Sequence, residues 1–159
     1  MLRFILLVCC LTAPVLGYSK GAPRSACRNG LMPRHRAEAQ TTAAPYSFSG
    51  ENSVKSGHTI SLSLSGDKFL GFMIQAQNAK EEPVGRFKVI EANKSQLLRC
   101  AAEGDSLTHV QLHKKPITSV EFEWLAPADY KGPVIFVATV VKDYSTFWVR
   151  KVTKAVTVQ

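Results

Sequence analysis

Residues 59–64 read Thr-Ile-Ser-Leu-Ser-Leu, so small hydroxyl side chains alternate with large apolar ones. Successive side chains of a β-strand point to opposite faces, which would place Ile60, Leu62 and Leu64 together on one face. Such strict alternation is typical of a strand that buries one face and exposes the other. The Ser-Gly-Asp triplet at 65–67 follows, and its composition predicts a turn that ends the strand.

A second strand is predicted over residues 69–77, where Phe72, Ile74 and Ala76 share one face. Gly71 lies inside this stretch. A glycine in a strand indicates a β-bulge or a close approach of the backbone to another part of the chain. The order strand, turn, strand therefore continues along the sequence.

More short strands follow, separated by turn-forming residues. They are predicted over residues 84–90, 97–101, 120–124, 134–141, 147–150 and 152–158. Residues 134–141 are almost entirely apolar and rich in β-branched side chains, which is typical of a central strand covered on both faces. No stretch shows a long apolar stripe of helical period. The sequence therefore predicts an all-β protein, and specifically an antiparallel sandwich of two sheets.

The first residues have the organisation of a secretory signal peptide. Arg3 supplies a positive charge, residues 4–11 form an unbroken apolar run, and Val15 and Gly17 are small residues before a cut at Tyr18. The run is too short to cross a bilayer, and no later stretch is long and apolar enough to do so. We expect a signal peptide at 1–17, one domain at 18–159, a secreted, extracellular protein, and no transmembrane segment.

Loss of the leader changes the number of cysteines. Cys9 and Cys10 would be removed with it, leaving Cys27 and Cys100 in the oxidising environment of the secretory route. In a monomer these two residues have only each other as partners for a disulfide. A structural zinc site is the competing interpretation, and the absence of a CxxC pair disfavours it.

Residues 18–45, called the arm below, are predicted to be irregular and extended because prolines interrupt them. The whole chain has a formal net charge of +8, and the arm has no acidic residue before Glu38. A basic secreted protein is attracted to anionic surfaces such as bacterial envelopes, sulfated glycans or acidic lipids, although a solvated face that keeps the protein soluble would have the same charge. The candidate contacts with an anionic surface are Lys20, Arg24, Arg28, Arg34 and Arg36.

The histidines, serines and cysteines form no pattern typical of a catalytic or metal-binding site. His109 and His113 are four residues apart and could share one face of a strand or a helix. Pro116 disfavours a helix there, no HExxH glutamate lies between the histidines, and we expect no metal site. No serine lies in a GxSxG motif, and no free cysteine would remain as a nucleophile. We expect no catalytic residues, no cofactor and no enzyme activity.

The positive charge also raises the question of nucleic acid binding. Modules that stack bases place exposed aromatic side chains between lysines and arginines on a sheet face. In this sequence Phe122, Trp124 and Phe136 fall at positions predicted to be in the core. We therefore expect no nucleic acid partner.

The triplet Asn93-Lys94-Ser95 matches the acceptor sequence for N-linked glycosylation. It lies in a polar stretch with the composition of a loop. Glycosylation at Asn93 is therefore a second prediction that depends on secretion.

A series of landmarks, each weak alone, occurs in a specific order over almost the whole of residues 18–159. They are Tyr18–Pro23, Ser25–Cys27, Met32–His35, Ala39–Gln40, Pro45–Tyr46, Phe69–Ala76, Val84–Phe87, Cys100, Leu107–His109, Val120–Trp124, Ala126–Pro127, Gly132–Phe136 and Phe147–Val149. In this order they resemble the reeler domain family, and most closely its small single-domain insect defence proteins of the noduler type.

The resemblance implies an immunoglobulin-like β-sandwich with an N-terminal arm tied by a disulfide between Cys27 and Cys100. It supplies no catalytic residues, and Gln77 stands where many relatives would have arginine, so no ligand contact is assigned there. Related proteins are associated with innate immunity and with binding to microbial surfaces. We expect a secreted innate-immune defence protein that binds anionic envelope components, such as lipopolysaccharide or teichoic acid. The alternative is an extracellular adhesive or matrix-type module that binds a host protein or glycan and has no antimicrobial role.

Overall fold

The computed structural model describes residues 20–110 and 115–159. The predicted signal peptide at 1–17 and His113 lie outside this part of the chain. The described elements are the helix α1 (Arg24–Arg28) and the strands β1 (Tyr46–Gly50), β2 (Ser53–Val54), β3 (Thr59–Phe69), β4 (Gly71–Gln77), β5 (Arg86–Val89), β6 (Ser95–Leu98), β7 (Ser106–His109), β8 (Ile117–Leu125), β9 (Gly132–Val141) and β10 (Phe147–Val158).

The strands form two sheets whose apolar faces pack against each other. One has four strands in the order β1-β3-β8-β5, and the other has six strands in the order β2-β10-β9-β4-β7-β6. Among the described residues the named strands pair in antiparallel fashion, except for the short parallel pairing of β2 with β10. The predicted all-β sandwich is confirmed.

Aromatic side chains fill the centre of the sandwich. Phe136 on β9 contacts Trp124 and Phe122 on β8, with ring centroids 5.2 and 6.4 Å away, and Phe87 on β5 at 6.2 Å. Gly85 has φ +72°, and a Cβ atom there would lie 2.4 Å from the Trp124 ring. The cluster therefore joins the two sheets and depends on a glycine where the backbone passes over the indole.

The turn predicted at 65–67 is wrong. Strand β3 continues to Phe69 through an irregularity in its pairing with β8 between Ser65 and Phe69. A Cβ atom on Gly66 would lie 2.2 Å from the Pro45 carbonyl oxygen, so this glycine permits a close approach of two backbone segments and does not end the strand. The chain instead crosses to the other sheet at Leu70, between β3 and β4.

Other predicted boundaries also shift. The strand predicted at 97–101 is β6, which ends at Leu98, so Cys100 lies beyond it. The two strands predicted at the end of the chain are one strand, β10, with a shift of register between Trp148 and Val152. Strand β7 was not predicted, because its serine and threonine side chains are buried as fully as its leucine and leave no apolar alternation.

The arm is less irregular than predicted, since it contains α1. This helix is a single turn, too short to leave a periodic pattern in the sequence. Pro23 precedes it with φ −75°, and Ala26 is its buried residue. Gly30 and Leu31, with φ near +60°, then turn the chain away from the helix axis.

The arm lies across the outer face of the six-stranded sheet. Hydrogen bonds attach its start to β6 and β7: the Ala22 amide donates to Thr108 Oγ1 at 2.9 Å, and Gln96 Nε2 donates to the Lys20 carbonyl at 2.6 Å. Farther along, the Gln40 amide donates to the carbonyl of Phe147 on β10 at 2.8 Å. The arm is thus held at both sides of the sheet that it crosses.

Apolar contacts hold the middle of the arm. Ala26 and Leu31 pack against Met73 on β4 and Val137 on β9 in a small cluster separate from the main core. Phe136 and its alternate neighbours on β9 face the other sheet, while Val137 faces the arm. The prediction that residues 134–141 form a central strand is confirmed. The arm covers its outer face at Val137, whereas Ile135 on the same face is exposed, so cover on both faces holds for only part of the stretch.

A disulfide between Cys27 and Cys100 fixes the arm to the loop after β6, with Cα atoms 5.5 Å apart at a sequence separation of 73. The predicted pairing is confirmed. Ser106 Oγ lies 3.1 Å from Cys100 Sγ, so the bridge also packs against β7.

Tyr46 gives the fold a specific dependence on alkaline pH. It is buried beside Phe69, and its hydroxyl donates to the Lys68 carbonyl at 3.3 Å. Burial, assisted by the charges of Asp67 and Asp143, raises the pKa of Tyr46 from 10.0 to about 12. Because the unfolded state then loses this proton first, the contribution of Tyr46 to stability is complete below about pH 10 and is lost as the pH rises to about 12.

We therefore expect the free energy of unfolding of the wild-type protein to fall more steeply than that of the Tyr46→Phe variant between those pH values. Urea unfolding at several pH values measures both curves. The variant is the control for every effect of alkaline pH that does not involve the Tyr46 hydroxyl. Parallel curves would contradict the assigned pKa.

Candidate functional site

The arm leaves part of the outer face of the six-stranded sheet uncovered. A cavity of about 210 Å³, called the arm groove below, lies between the arm and the adjoining ends of β4 and β9. Its lining is mostly apolar, and charged groups are confined to a few positions. The lining residues are Ala22, Pro23, Ala26, Leu31, Pro33, Arg34, His35, Leu70, Gly71, Phe72, Met73, His109, Thr139, Val141, Asp143 and Tyr144.

Gly71 shapes the sheet side of the arm groove. A Cβ atom at this position would lie 3.2 Å from the His109 ring, tighter than ordinary van der Waals contact. The Phe72 amide donates to His109 Nδ1 at 3.2 Å, so the imidazole is held against the start of β4. The close approach predicted for Gly71 is confirmed, and its neighbour is a side chain.

His35 lies where the arm meets the loop between β9 and β10. Its ring stacks on Tyr144 with centroids 4.9 Å apart and meets the edge of Phe147 at 5.1 Å. Burial lowers the pKa of His35 below 6.5 and outweighs the opposite effects of the Tyr144 backbone and the Asp143 carboxylate. The imidazole is therefore neutral at pH 7, and its Nδ1 is buried without a hydrogen-bond partner among the described residues.

Asp143 is the acidic residue of the lining. Desolvation raises its pKa, but hydrogen bonds from Ser145 and Thr146 outweigh that effect, so the pKa of Asp143 lies below its usual value. The amide and the hydroxyl of Ser145 both lie 3.0 Å from Asp143 Oδ1. The carboxylate is thus ionised and bound by its own loop.

All the basic residues selected in the arm are exposed: Lys20, Arg24, Arg28, Arg34 and Arg36. Arg24 and Arg28 are four residues apart on α1 and share the helix face opposite the buried Ala26. Arg34 lies at the rim of the arm groove and forms no ion pair within the described part of the chain. Two of the arm cations thus share a helix face, and one adjoins the cavity.

Arg99 is a further basic residue at this surface that the sequence did not indicate. Its carbonyl accepts a hydrogen bond from Arg24 Nε at 3.1 Å, and its side chain is exposed. It precedes Cys100, so the disulfide brings it beside α1. The position of Arg99 next to Cys100 in the sequence could have indicated this, because a disulfide between Cys27 and Cys100 brings Arg99 close to the arm.

Beyond the disulfide, the outer face carries a row of hydrogen-bonded polar side chains. Gln75 Nε2 donates to Ser106 Oγ at 2.9 Å, and Gln77 Nε2 donates to Gln75 Oε1 at 2.8 Å. Arg150 Nη2 donates to Gln77 Oε1 at 3.2 Å and pairs with Glu81 at 3.0 Å. A guanidinium therefore does lie beside position 77, but it comes from β10, and the row serves to pair buried amides.

Asn93 lies exposed in the turn between β5 and β6. Ser95, the hydroxyl residue of the triplet, is buried, and its Oγ donates to the Glu91 carbonyl at 3.3 Å. The exposed turn is compatible with a glycan on Asn93, and its glycosylation stays a prediction.

Within residues 20–110 and 115–159 no three histidine, cysteine, aspartate or glutamate side chains are grouped as they would be to hold a metal ion. His109 lines the arm groove, whereas His113 is outside these residues. In the same part of the chain, no helix has the length and apolar character that a membrane span requires.

Known proteins are similar to this chain either in sequence or in fold. The Reeler domain family matches residues 25–159. The Drosophila melanogaster protein "Defense protein l(2)34Fc" is 46% identical over 160 residues, with full coverage of both chains. "Putative defense protein Hdd11-like" of Samia ricini is 36% identical and covers 94% of this chain and 92% of its own length.

Of two further comparisons, one is with a larger protein and the other concerns the fold alone. "Putative ferric-chelate reductase 1" of Xenopus laevis is 35% identical over 94% of this chain, which corresponds to 25% of the reductase. The crystal structure of the human F-spondin reeler domain superposes with a TM-score of 0.64 at 21% identity, over 79% of this chain and 97% of that domain. The latter similarity concerns the fold.

Proposed function

Because the chain belongs to the reeler domain family, we propose that it is an extracellular defence protein that binds anionic components of microbial envelopes through its arm. The relatives named as defence proteins support the defence-related part of this proposal. The family match also suggests a module without enzyme activity, and the reductase relative shares only a quarter of its own length with this chain.

The observation that carries the proposal is the exposure of every basic side chain selected in the arm, with no acid before Glu38. Envelope polymers such as lipopolysaccharide and teichoic acid carry phosphate groups, which attract clustered lysines and arginines. Arg24 and Arg28 are exposed on the same face of one helix turn, and Arg24 lies beside Arg99, so these cations can meet one phosphate-rich surface at once.

Charge reversal on α1 tests this proposal. We expect the Arg24→Glu/Arg28→Glu variant to bind immobilised lipopolysaccharide and teichoic acid at least about tenfold more weakly than wild type at low salt, since a basic residue near an anionic surface contributes about 1 kcal/mol. Wild-type binding should itself weaken as salt rises, because the Debye length shortens to about 8 Å at 0.15 M. Surface plasmon resonance measures both effects.

The matched control changes the net charge by the same amount at positions outside the arm. Lys55 and Lys131 are exposed residues outside the arm, and the Lys55→Glu/Lys131→Glu variant should retain wild-type affinity apart from the general effect of net charge. Equal losses in the two variants would mean that net charge, and not the arm, drives binding. Absence of binding to either polymer at any salt, together with binding to a host matrix protein or glycan, would overturn the proposal in favour of an adhesive module.

A further inference from the structure

We propose that the arm groove binds one acyl chain of lipid A, the anionic amphiphile of lipopolysaccharide, while Arg34 contacts the head group. This inference rests on the proposed function and assigns a second element of the same recognition. The arm cations would attract the phosphorylated part of the ligand, and the groove would bury its hydrocarbon.

The lining of the arm groove has the chemistry that an acyl chain requires. Leu31, Met73 and Val141 supply apolar surface from the arm, β4 and β9. Apolar cavities tend to stay dry and bind apolar ligands, because water gains no hydrogen bonds there. The volume of about 210 Å³ is below the roughly 300 Å³ at which pockets for drug-sized molecules begin, so it suits a narrow chain and not a whole lipid.

The rim of the arm groove complements an anionic head group. Arg34 is exposed there and has no ion-pair partner among the described residues, so its guanidinium can pair with a phosphate. His35 is neutral at pH 7, whereas the Asp143 carboxylate is ionised and bound by Ser145 in its own loop. Arg34 therefore supplies a positive charge at the rim that can pair with an anion.

The walls of the arm groove are also fixed in place. The sheet side belongs to β4 and β9 in the centre of the six-stranded sheet. The arm side is held by the Cys27–Cys100 disulfide and by the packing of Ala26 and Leu31. A preformed cavity avoids the entropic cost of ordering a loop around the ligand, which favours binding of a flexible chain.

Two measurements without any variant test the inference. Intact lipopolysaccharide should bind at least about tenfold more tightly than chemically deacylated lipopolysaccharide. Each buried methylene contributes about 0.8 kcal/mol, which corresponds to a roughly fourfold increase in affinity. For soluble carboxylates of about six to sixteen carbons, below their micelle concentrations, calorimetry should show that fourfold rise per methylene and then a plateau when the cavity is full.

A matched pair of variants locates the site. Val141 lines the arm groove, whereas Ile135 is exposed on the same outer face of β9 but away from it. Val141→Trp should fill the cavity and reduce carboxylate binding at least about tenfold, while Ile135→Trp should leave it unchanged. Thermal melts of both variants check that they fold, and the comparison of intact with deacylated lipopolysaccharide applies even if one does not.

The outcomes separate this inference from the proposed function. Equal binding of intact and deacylated lipopolysaccharide, with no dependence on carboxylate length, would overturn the acyl site and leave envelope binding through the arm intact. Binding of the carboxylates by a protein that binds no lipopolysaccharide would overturn the choice of lipid A in favour of free fatty acids, and the proposed function would then depend on binding to teichoic acid. Equal effects of the two tryptophan variants would place the hydrocarbon elsewhere.

Discussion

Replacing Cys27 and Cys100 together by serine is expected to lower the free energy of unfolding by about 4 kcal/mol, the amount that the chain-entropy model assigns to a loop of this length. The bridge closes 73 residues, so its removal greatly enlarges the freedom of the unfolded chain. In the folded state it also anchors the arm over Met73 and Val137, which would otherwise be exposed on the outer face of the sheet. Urea unfolding monitored by tryptophan fluorescence measures the change.

Limited proteolysis distinguishes the two contributions. Arg24 and Arg28 are trypsin sites close to Cys27, and detachment of the arm should make both cleave faster under native conditions. Ser25→Ala is the matched control, because it changes a neighbouring side chain of α1 and keeps the disulfide. If the double variant lost stability without faster cleavage, the bridge would act through the unfolded state alone. A loss below about 1 kcal/mol would contradict the expected role altogether.

The sandwich could be predicted wherever one face of a strand dominates the sequence. Residues 59–64 and 120–124 alternate because one side faces the core and the other faces water, and both lie in strands of the four-stranded sheet. The stretch 134–141 could be assigned to the centre because it is almost entirely apolar. What covers its outer face could not be predicted, because that depends on where the arm lies.

The errors occur where local signals have more than one physical cause. Gly66 and Asp67 predict a turn because glycine and aspartate favour turns, but the glycine instead permits contact with the Pro45 backbone. Ser106 and Thr108 are buried because their hydroxyls form hydrogen bonds with Gln75 and with the Phe72 carbonyl, so β7 has no apolar pattern. A buried polar side chain with partners looks like an exposed one in sequence.

The candidate site also has a part that the sequence predicts and a part that it does not. The exposed cations of the arm could be selected because they are clustered in sequence and lack acidic neighbours. The arm groove could not be predicted from the sequence, because its segments come together only in the folded protein. These segments lie around Leu31, Gly71, Val141 and Tyr144. Arg99 belongs to the same class, because the disulfide alone places it beside α1.

The second large effect is expected at the centre of the core. Phe136→Ala should lower the free energy of unfolding by about 3–5 kcal/mol, the usual cost of removing a buried phenylalanine. Phe136 is completely buried, and its ring contacts aromatic rings on β1, β5 and β8 of the opposite sheet. Its loss therefore removes the contact that joins the two layers and leaves a cavity that rigid strands cannot close. Chemical denaturation measures the effect.

Ile135 is the matched control for this prediction, because it is the next residue on the same strand and has its side chain on the outer face, 39% exposed. Ile135→Ala should cost well under half as much, since an exposed side chain loses little burial. Phe136→Leu should fall between the two, because leucine refills part of the volume but not the aromatic contacts with Trp124 and Phe122. Equal losses at the two positions would mean that the exposed outer face of β9 contributes as much to stability as the interface between the sheets, and would contradict the assignment of Phe136 as the contact that joins the two layers.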